Sequence, residues 1–145
     1  MFKRILLPTD GSELSEAAIQ KGIQFAKSIN AKVTGFHVIL PFHVFTLQME
    51  RLGDTKEQYE RQSKGQAEQF LGVIKKAAEK AGVSCDTDYV TSSHPYEMII
   101  KAAEKKGCDL IMMASHGRRG VHGLLIDSET QKVLTHTKIP VLVSR

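Results

Sequence analysis

Apolar runs alternate with helical spacings along the chain. Phe2 to Leu7 is a short apolar run that breaks at Pro8. From Ser12 to Ile29, Leu14, Ala18, Gly22, Phe25 and Ile29 recur at steps of three and four, which predicts a helix with one apolar face. Ser12 suits its N-cap, Glu13 and Glu16 fall in its first turn, and Lys27 lies near its end, where each charge complements the helix dipole. Ser12 and Glu16 only approximate a capping box, because the glutamate falls one position late.

Lys32 to Leu40 is the second predicted strand, carried by Val33, Phe36, Val38 and Ile39. Residues 41 to 54 are mixed and aromatic, and read as an irregular loop or the start of a long helix. Thr55 to Ala81 is helical, with Ala67, Phe70, Leu71, Ile74, Ala78 and Ala81 as its buried stripe and Gly82 as its stop. Ser84 to Thr91 alternates Cys85, Thr87 and Tyr89 with Asp86 and Asp88, the pattern of an edge strand with one wetter face. Pro95 opens a helix to Lys106 that buries Met98 or Ile99 with Ala102 and Ala103. Asp109 to Ala114 is the most apolar strand, as expected for a central parallel strand covered on both faces. A glycine-containing loop, a helix from about Ser128 to Thr137 and the strand Val141-Leu142-Val143 complete the chain.

Strand and helix alternate throughout, which predicts one α/β domain over residues 1–145, its parallel sheet covered by helices on both faces and joined by right-handed crossovers. Ligands of such sheets bind beyond the carboxyl ends of the strands, where the strand order reverses. The loops after Leu7, Leu40 and Ala114 are therefore the places for a site.

Composition narrows the function further. The chain has 145 residues, 41% of them hydrophobic and 25% charged, and its formal net charge is +4. Lys75, Lys76 and Lys80 share a helix with Glu79, and Lys101, Lys105 and Lys106 share one with Glu104. These are solvated helix faces rather than a phosphate-tracking groove, and no aromatic residues interleave with them, so nucleic acid is not expected as a partner. The amino-terminal apolar run is too short for a secretory signal, and no stretch is long enough to span a membrane. Cys85 and Cys108 form no CxxC and read as two reduced thiols of a cytoplasmic protein. The six histidines show no paired metal spacing, and no nucleophile elbow appears.

Two loops carry candidate chemistry. In Pro8-Thr9-Asp10-Gly11-Ser12, Gly11 allows a tight turn and Ser12 opens a helix. Asp10 would repel a phosphate at that helix terminus but suits hydrogen bonds from a base or ribose; the blander reading is that Asp10 and Ser12 only cap the helix. The loop Ala114 to Gly123 contains Gly117, Gly120 and Gly123, Arg118 and Arg119, and His116 and His122. Glycines let backbone N–H groups approach phosphate, and arginines match its charge. It fits neither the P-loop nor the dinucleotide fingerprint, and a plain connector is the alternative.

Together these segments resemble the universal stress protein family over essentially the whole chain. The likeness rests on Ile5 to Ser12, on Phe36-His37-Val38, and on Asp109 to Gly117 with Ile139-Pro140-Val141-Leu142-Val143. It implies a three-layer, flavodoxin-like or Rossmann-like open sheet of five parallel strands in the order 3-2-1-4-5. It also implies a homodimer joined through the last strand at Ile139, Pro140, Val141, Leu142 and Val143. Many members bind ATP. By that analogy Pro8, Thr9 and Asp10 face adenine or ribose, and Val38 meets adenine through its backbone. The family's motif of Gly, two residues, Gly, nine residues, then Gly followed by Ser or Thr falls on Ala114, Gly117, Asp127 and Ser128. Met113, His116, Arg118, Arg119 and Glu129 complete the implied nucleotide-binding set.

Asp127 departs most from that motif. At about 4 Å, two unit charges repel by about 4 kcal/mol at an effective dielectric near 20. Asp127 is alternatively a plain N-cap for the helix that begins at Ser128. Arg118 and Arg119 could offset its charge, or Mg²⁺ could bridge it to phosphates. The expected function is a cytoplasmic stress-response protein that binds ATP or another adenine nucleotide as a signal, read by a regulatory protein partner. It would be at most a slow ATPase. The rival expectation is a dimeric interaction module that has lost nucleotide binding because of Asp127.

Overall fold

β1 (Arg4–Pro8) is buried on both faces because its side chains alternate between two apolar layers. Ile5 and Leu7 point into one, Leu6 into the other. In this computed structural model, which describes residues 1–44, 55–115 and 128–145, the strand is the centre of a parallel sheet. α1 (Glu13–Ile29) leads to β2 (Lys32–Ile39), α2 (Lys56–Ala81) to β3 (Cys85–Thr91), α3 (Pro95–Lys105) to β4 (Leu110–Ala114), and α4 (Ser128–His136) to β5 (Val141–Ser144). The strand order is β3-β2-β1-β4-β5, as expected, so the order reverses at β1.

Local chemistry explains the helix ends. Ser12 caps α1 by accepting the Ser15 N–H, and Asn30 closes it in the left-handed conformation at φ 59°. Thr55 and Gln58 form a full capping box for α2, which Gly82 ends. α1 and α2 cover the face of Ile5, Leu7, Val33 and Met112, where Ile19, Ile23, Leu71 and Ile74 pack. α3 and α4 cover the face of Leu6, Phe36, Ile111 and Met113 with Ile99, Ala103 and Val133.

One expected face needs correction. The buried stripe of α1 is Ser15, Ala18, Ile19, Gly22, Ile23 and Ala26, whereas Leu14 is 42% exposed and Phe25 and Ile29 are half-buried. The helix is rotated so that its two bulky isoleucines face the sheet, and Gly22 admits Leu7, whose Cδ2 would lie 2.6 Å from a Cβ there. Cys85 and Cys108 pack against opposite faces of the sheet. Burial pushes the Cys108 thiol up to about 11, so it stays protonated.

The amino-terminal edge of the sheet is fastened by two carboxylates. Asp109 accepts the backbone N–H groups of Lys3 and Arg4 at 2.9–3.0 Å, which ties the start of β4 to β1. Asp86 accepts the fully buried Thr34 hydroxyl at 2.6 Å and pairs with Arg4 at 3.4 Å and Lys106 at 3.3 Å. Burial alone would raise both carboxyl pKa values. The hydrogen bonds to the charged forms outweigh it and hold both below the usual range. Their stabilisation is therefore complete above the ordinary carboxylate pKa of about 4 and is lost as pH falls through the lower folded values. Asp109→Asn should cost about 1 kcal/mol near neutral pH, less than a buried hydrogen bond to a charged group because solvent screens this site. Urea denaturation at pH 7 and pH 3 measures this, and the difference from wild type should shrink at the lower pH.

Candidate functional site

At the carboxyl end of β1 the two neighbouring strands run on while β1 stops. Its Arg4 carbonyl bonds Asp109, and its Thr9 N–H bonds Phe36, so even-numbered residues of the strand face β4 and odd-numbered ones face β2. Pro8 therefore faces β4, where it has no N–H to give. Pairing with β4 ends at Leu6 and Ile111, although β4 continues to Ala114 alongside β5. On the other side, pairing with β2 ends at Pro8 and Phe36, although β2 continues to Ile39 alongside β3. Pro8 thus ends the ladder on the β4 side only. A cleft opens over the end of β1, at the point where the strand order reverses.

Val38 lies beside that opening. The Phe36 carbonyl faces β1 and the Ile39 carbonyl bonds Ser92 on the β3 side, so the Val38 N–H and C=O face the cleft by strand alternation. Its side chain packs, half-buried, against the α3–α4 layer. The carbonyl just past the end of β1, that of Thr9, accepts from His37 Nδ1–H at 2.7 Å. A carbonyl can only accept, so the ring carries its proton on Nδ1.

The loop between β1 and α1 is held from within. The Thr9 side chain is 6% exposed; its hydroxyl accepts the Gly11 N–H at 3.1 Å and lies 3.0 Å from Ser15 Oγ. The Ser15 hydroxyl donates to the Ser12 carbonyl at 3.2 Å, so the Thr9 hydroxyl donates to Ser15. Asp10 Oδ1 accepts the Ser12 N–H at 2.9 Å. Both proposed capping roles are therefore filled, and Asp10 still sits half-exposed at the rim of the cleft. Gly11 adopts φ +80°, and a Cβ there would lie 2.3 Å from Phe70 Cζ. The Phe70 ring also meets His37 edge-to-face, with centroids 5.3 Å apart.

The far side of the cleft is built by β4 and α4. The Thr130 hydroxyl donates to the Ala114 carbonyl at 3.1 Å, and the Ser115 N–H donates to the Ser144 carbonyl at 2.8 Å. The first turn of α4 is thereby set at the end of β4. Ser128 is exposed there. Glu129 accepts the Tyr96 N–H at 3.0 Å and lies 3.5 Å from Lys132 Nζ. It caps α3, whose own N-cap residue His94 makes no side-chain cap. The Met113 side chain is buried in the α3–α4 layer. His116, Gly117, Arg118, Arg119 and Asp127 lie outside the described residues.

The structure thus brings Pro8, Thr9, Asp10, Val38, Ala114 and Ser128 to the same end of the sheet. Ser15 and Phe70 were not expected at the site. Ser15 looked like an ordinary first-turn residue and Phe70 like core stripe. A separate hollow of about 560 Å³, walled by Phe42, Tyr59 and Tyr89, lies beyond β2 and β3. It shares no residue with the β1–α1 loop or the end of β4 and so is not part of this cleft. Among the described residues no cluster of His, Cys, Asp and Glu could hold a metal, and no helix is long and apolar enough to cross a membrane.

Comparison with known proteins places this geometry in context. The sequence model of the Universal stress protein family matches residues 1–145. The universal stress protein MJ0577 of Methanocaldococcus jannaschii is 34% identical, across 99% of this chain and 94% of that protein. Its solved structure superposes with a TM-score of 0.82, covering 99% and 95% of the two chains at 31% identity. Two more distant structures share the fold. A universal stress protein in complex with cAMP has a TM-score of 0.69 at 20% identity, with 99% and 97% coverage. The Archaeoglobus fulgidus protein in complex with dAMP has a TM-score of 0.66 at 16% identity, with 100% and 98% coverage.

The contact between Gly11 and Phe70 can be tested without any ligand. Gly11→Ala should destabilise the protein by about 1–2 kcal/mol, from the left-handed backbone and the displaced ring. Combining it with Phe70→Ala should cost less than the sum of the two single changes, because the clash is gone. Chemical denaturation of the three variants reads this coupling.

Proposed function

The chain belongs to the universal stress protein family, and from that premise we propose that it binds an adenine nucleotide in the cleft over β1 and holds it as a signal in the stress response. The observation that carries this reading is the Val38 backbone, which turns one donor and one acceptor toward the cleft. That pair matches the N1 acceptor and N6 donor on the edge of adenine. Asp10 at the rim suits a ribose hydroxyl, and its charge disfavours phosphate on that side. The phosphates then belong on the β4 side, at the N-terminus of α4, where Ser128 offers a hydroxyl and the helix dipole favours anions. Arg118 and Arg119 have the charge to assist, with Mg²⁺ as a further partner of ATP. The cAMP and dAMP complexes of two proteins with this fold support an adenine nucleotide as the ligand class.

The proposal extends to a cytoplasmic homodimer read by a regulatory protein. β5 ends the sheet, and its alternation sends the Pro140 and Ser144 carbonyls to β4, so the N–H and C=O groups of Val141 and Val143 face outward. Leu142 is 38% exposed beside them. An apolar edge of this kind pairs readily with a second copy. Ile139 and Val141 meanwhile pack inward against the α3–α4 layer.

A second reading has its own observation. Asp127 stands in the sequence where the family motif has glycine. On that reading the chain is a dimeric interaction module without nucleotide.

Calorimetry with ATP and AMP, with and without Mg²⁺, should give heat of binding at micromolar to millimolar nucleotide. An absence of heat at millimolar concentration overturns the first reading. Asp127→Gly should then create binding if the second is right; unchanged affinity means that Asp127 is not the obstacle. For the dimer, Val143→Pro removes an outward N–H but no bond to β4. Sedimentation should show wild-type dimers and mostly monomeric variant, and an unchanged dimer would place the interface elsewhere.

A further inference from the structure

We infer that His37 is a positioning residue that ends the β1–β2 ladder and so leaves the Val38 backbone turned to the cleft as a recognition edge. This rests on the nucleotide reading for its ligand, but not for its geometry. In an uninterrupted parallel ladder, the carbonyl after Pro8 would be the next acceptor for β2, and the Val38 N–H is the group that alternation sends toward it. Instead the Thr9 carbonyl accepts from the His37 ring at 2.7 Å. His37 reaches it from the α1–α2 face of the sheet, because its side chain alternates with those of Phe36 and Val38, which pack on the other face. The competition is local. One residue of β2 uses its side chain to satisfy the carbonyl that its neighbour's amide would otherwise take.

Phe70 fixes the ring that does this. It stands edge-to-face on His37 and against the Cα of Gly11, so one α2 side chain braces both the imidazole and the loop. Pro8 works on the other side of β1 by offering β4 no donor. The cleft is thus opened twice, by an absent N–H toward β4 and by a diverted carbonyl toward β2. Each device leaves strand backbone facing the cleft while Ile5, Leu6 and Leu7 of β1 stay buried.

Three variants of the full chain separate this from a plain structural role. His37→Asn places its amide N–H near the position of Nδ1 and keeps the bond to Thr9. His37→Gln carries its donor one atom further out, and His37→Leu has none. Two readouts are taken: amide hydrogen exchange of ligand-free protein, and calorimetry with AMP. In wild type, the Val38 amide should exchange faster than those of His37 and Ile39, which pair with β3. In the Leu and Gln variants Val38 should close onto the Thr9 carbonyl, its exchange should slow about tenfold, and AMP affinity should fall about tenfold. The Asn variant should stay near wild type in both. If the Leu variant does not fold, the contrast between Asn and Gln decides. The inference is overturned if Val38 exchange is the same in all variants, or if Asn behaves like Gln. If wild type binds no AMP, yet Val38 exchange still separates Asn from Gln, the nucleotide reading fails and the part played by His37 stands.

Discussion

The structure depends on how β1 ends. A central strand in a parallel sheet is paired on both sides, and its backbone groups are spent on its neighbours. A site at its carboxyl end exists only if both ladders stop while the neighbouring strands continue. Here Pro8 stops one by lacking a donor, and the other stops where the Thr9 carbonyl turns to His37. The β1–α1 loop is then rigid for internal reasons. The Thr9 hydroxyl, Ser15, Ser12 and Asp10 bond to one another, and Gly11 lies under Phe70. Its shape therefore exists before any ligand arrives, which lowers the ordering cost of binding.

The opposite edge of the sheet has the complementary task. Asp109 satisfies the first N–H groups of the β1 segment, and Asp86 joins β3 to Arg4, Thr34 and Lys106 beneath α3. These contacts hold the register of β1 from below, so that its upper end can be left unpaired without fraying. The two buried layers supply most of the stability, since Ile5, Leu6 and Leu7 are all essentially inaccessible to solvent. A parallel strand of such residues has no exposed face through which the pairing could slip.

The two helices on the β4 side are coupled through Glu129. It closes the amino terminus of α3 from the first turn of α4, while Thr130 ties that same turn to β4. A carboxylate of α4 thus has a structural duty within the fold, in the first turn of that helix. The anchoring of α4 by two different neighbours defines where its amino terminus points.

Much of this was legible in the chain itself. Alternating runs gave the βα order, and the continuous apolar stretch of Leu110 to Met113 marked one interior strand, because only strands covered on both faces can be apolar at every position. Ser12, Thr55 and Gly82 marked helix ends through chemistry that acts over a few residues. The helix faces were less legible. Leu14 fits the period of α1 yet is exposed, because the rotation of a helix is set by the bulk of what it packs against. Least legible of all were contacts between distant residues. Nothing near Tyr96 announces that Glu129 caps it, nor does anything near Gly11 announce Phe70. His37 looks in sequence like one more strand residue. Only the tertiary structure decides that its ring meets the Thr9 carbonyl, since the sequence encodes the strands but their relative register and the loop's return set which groups can reach one another.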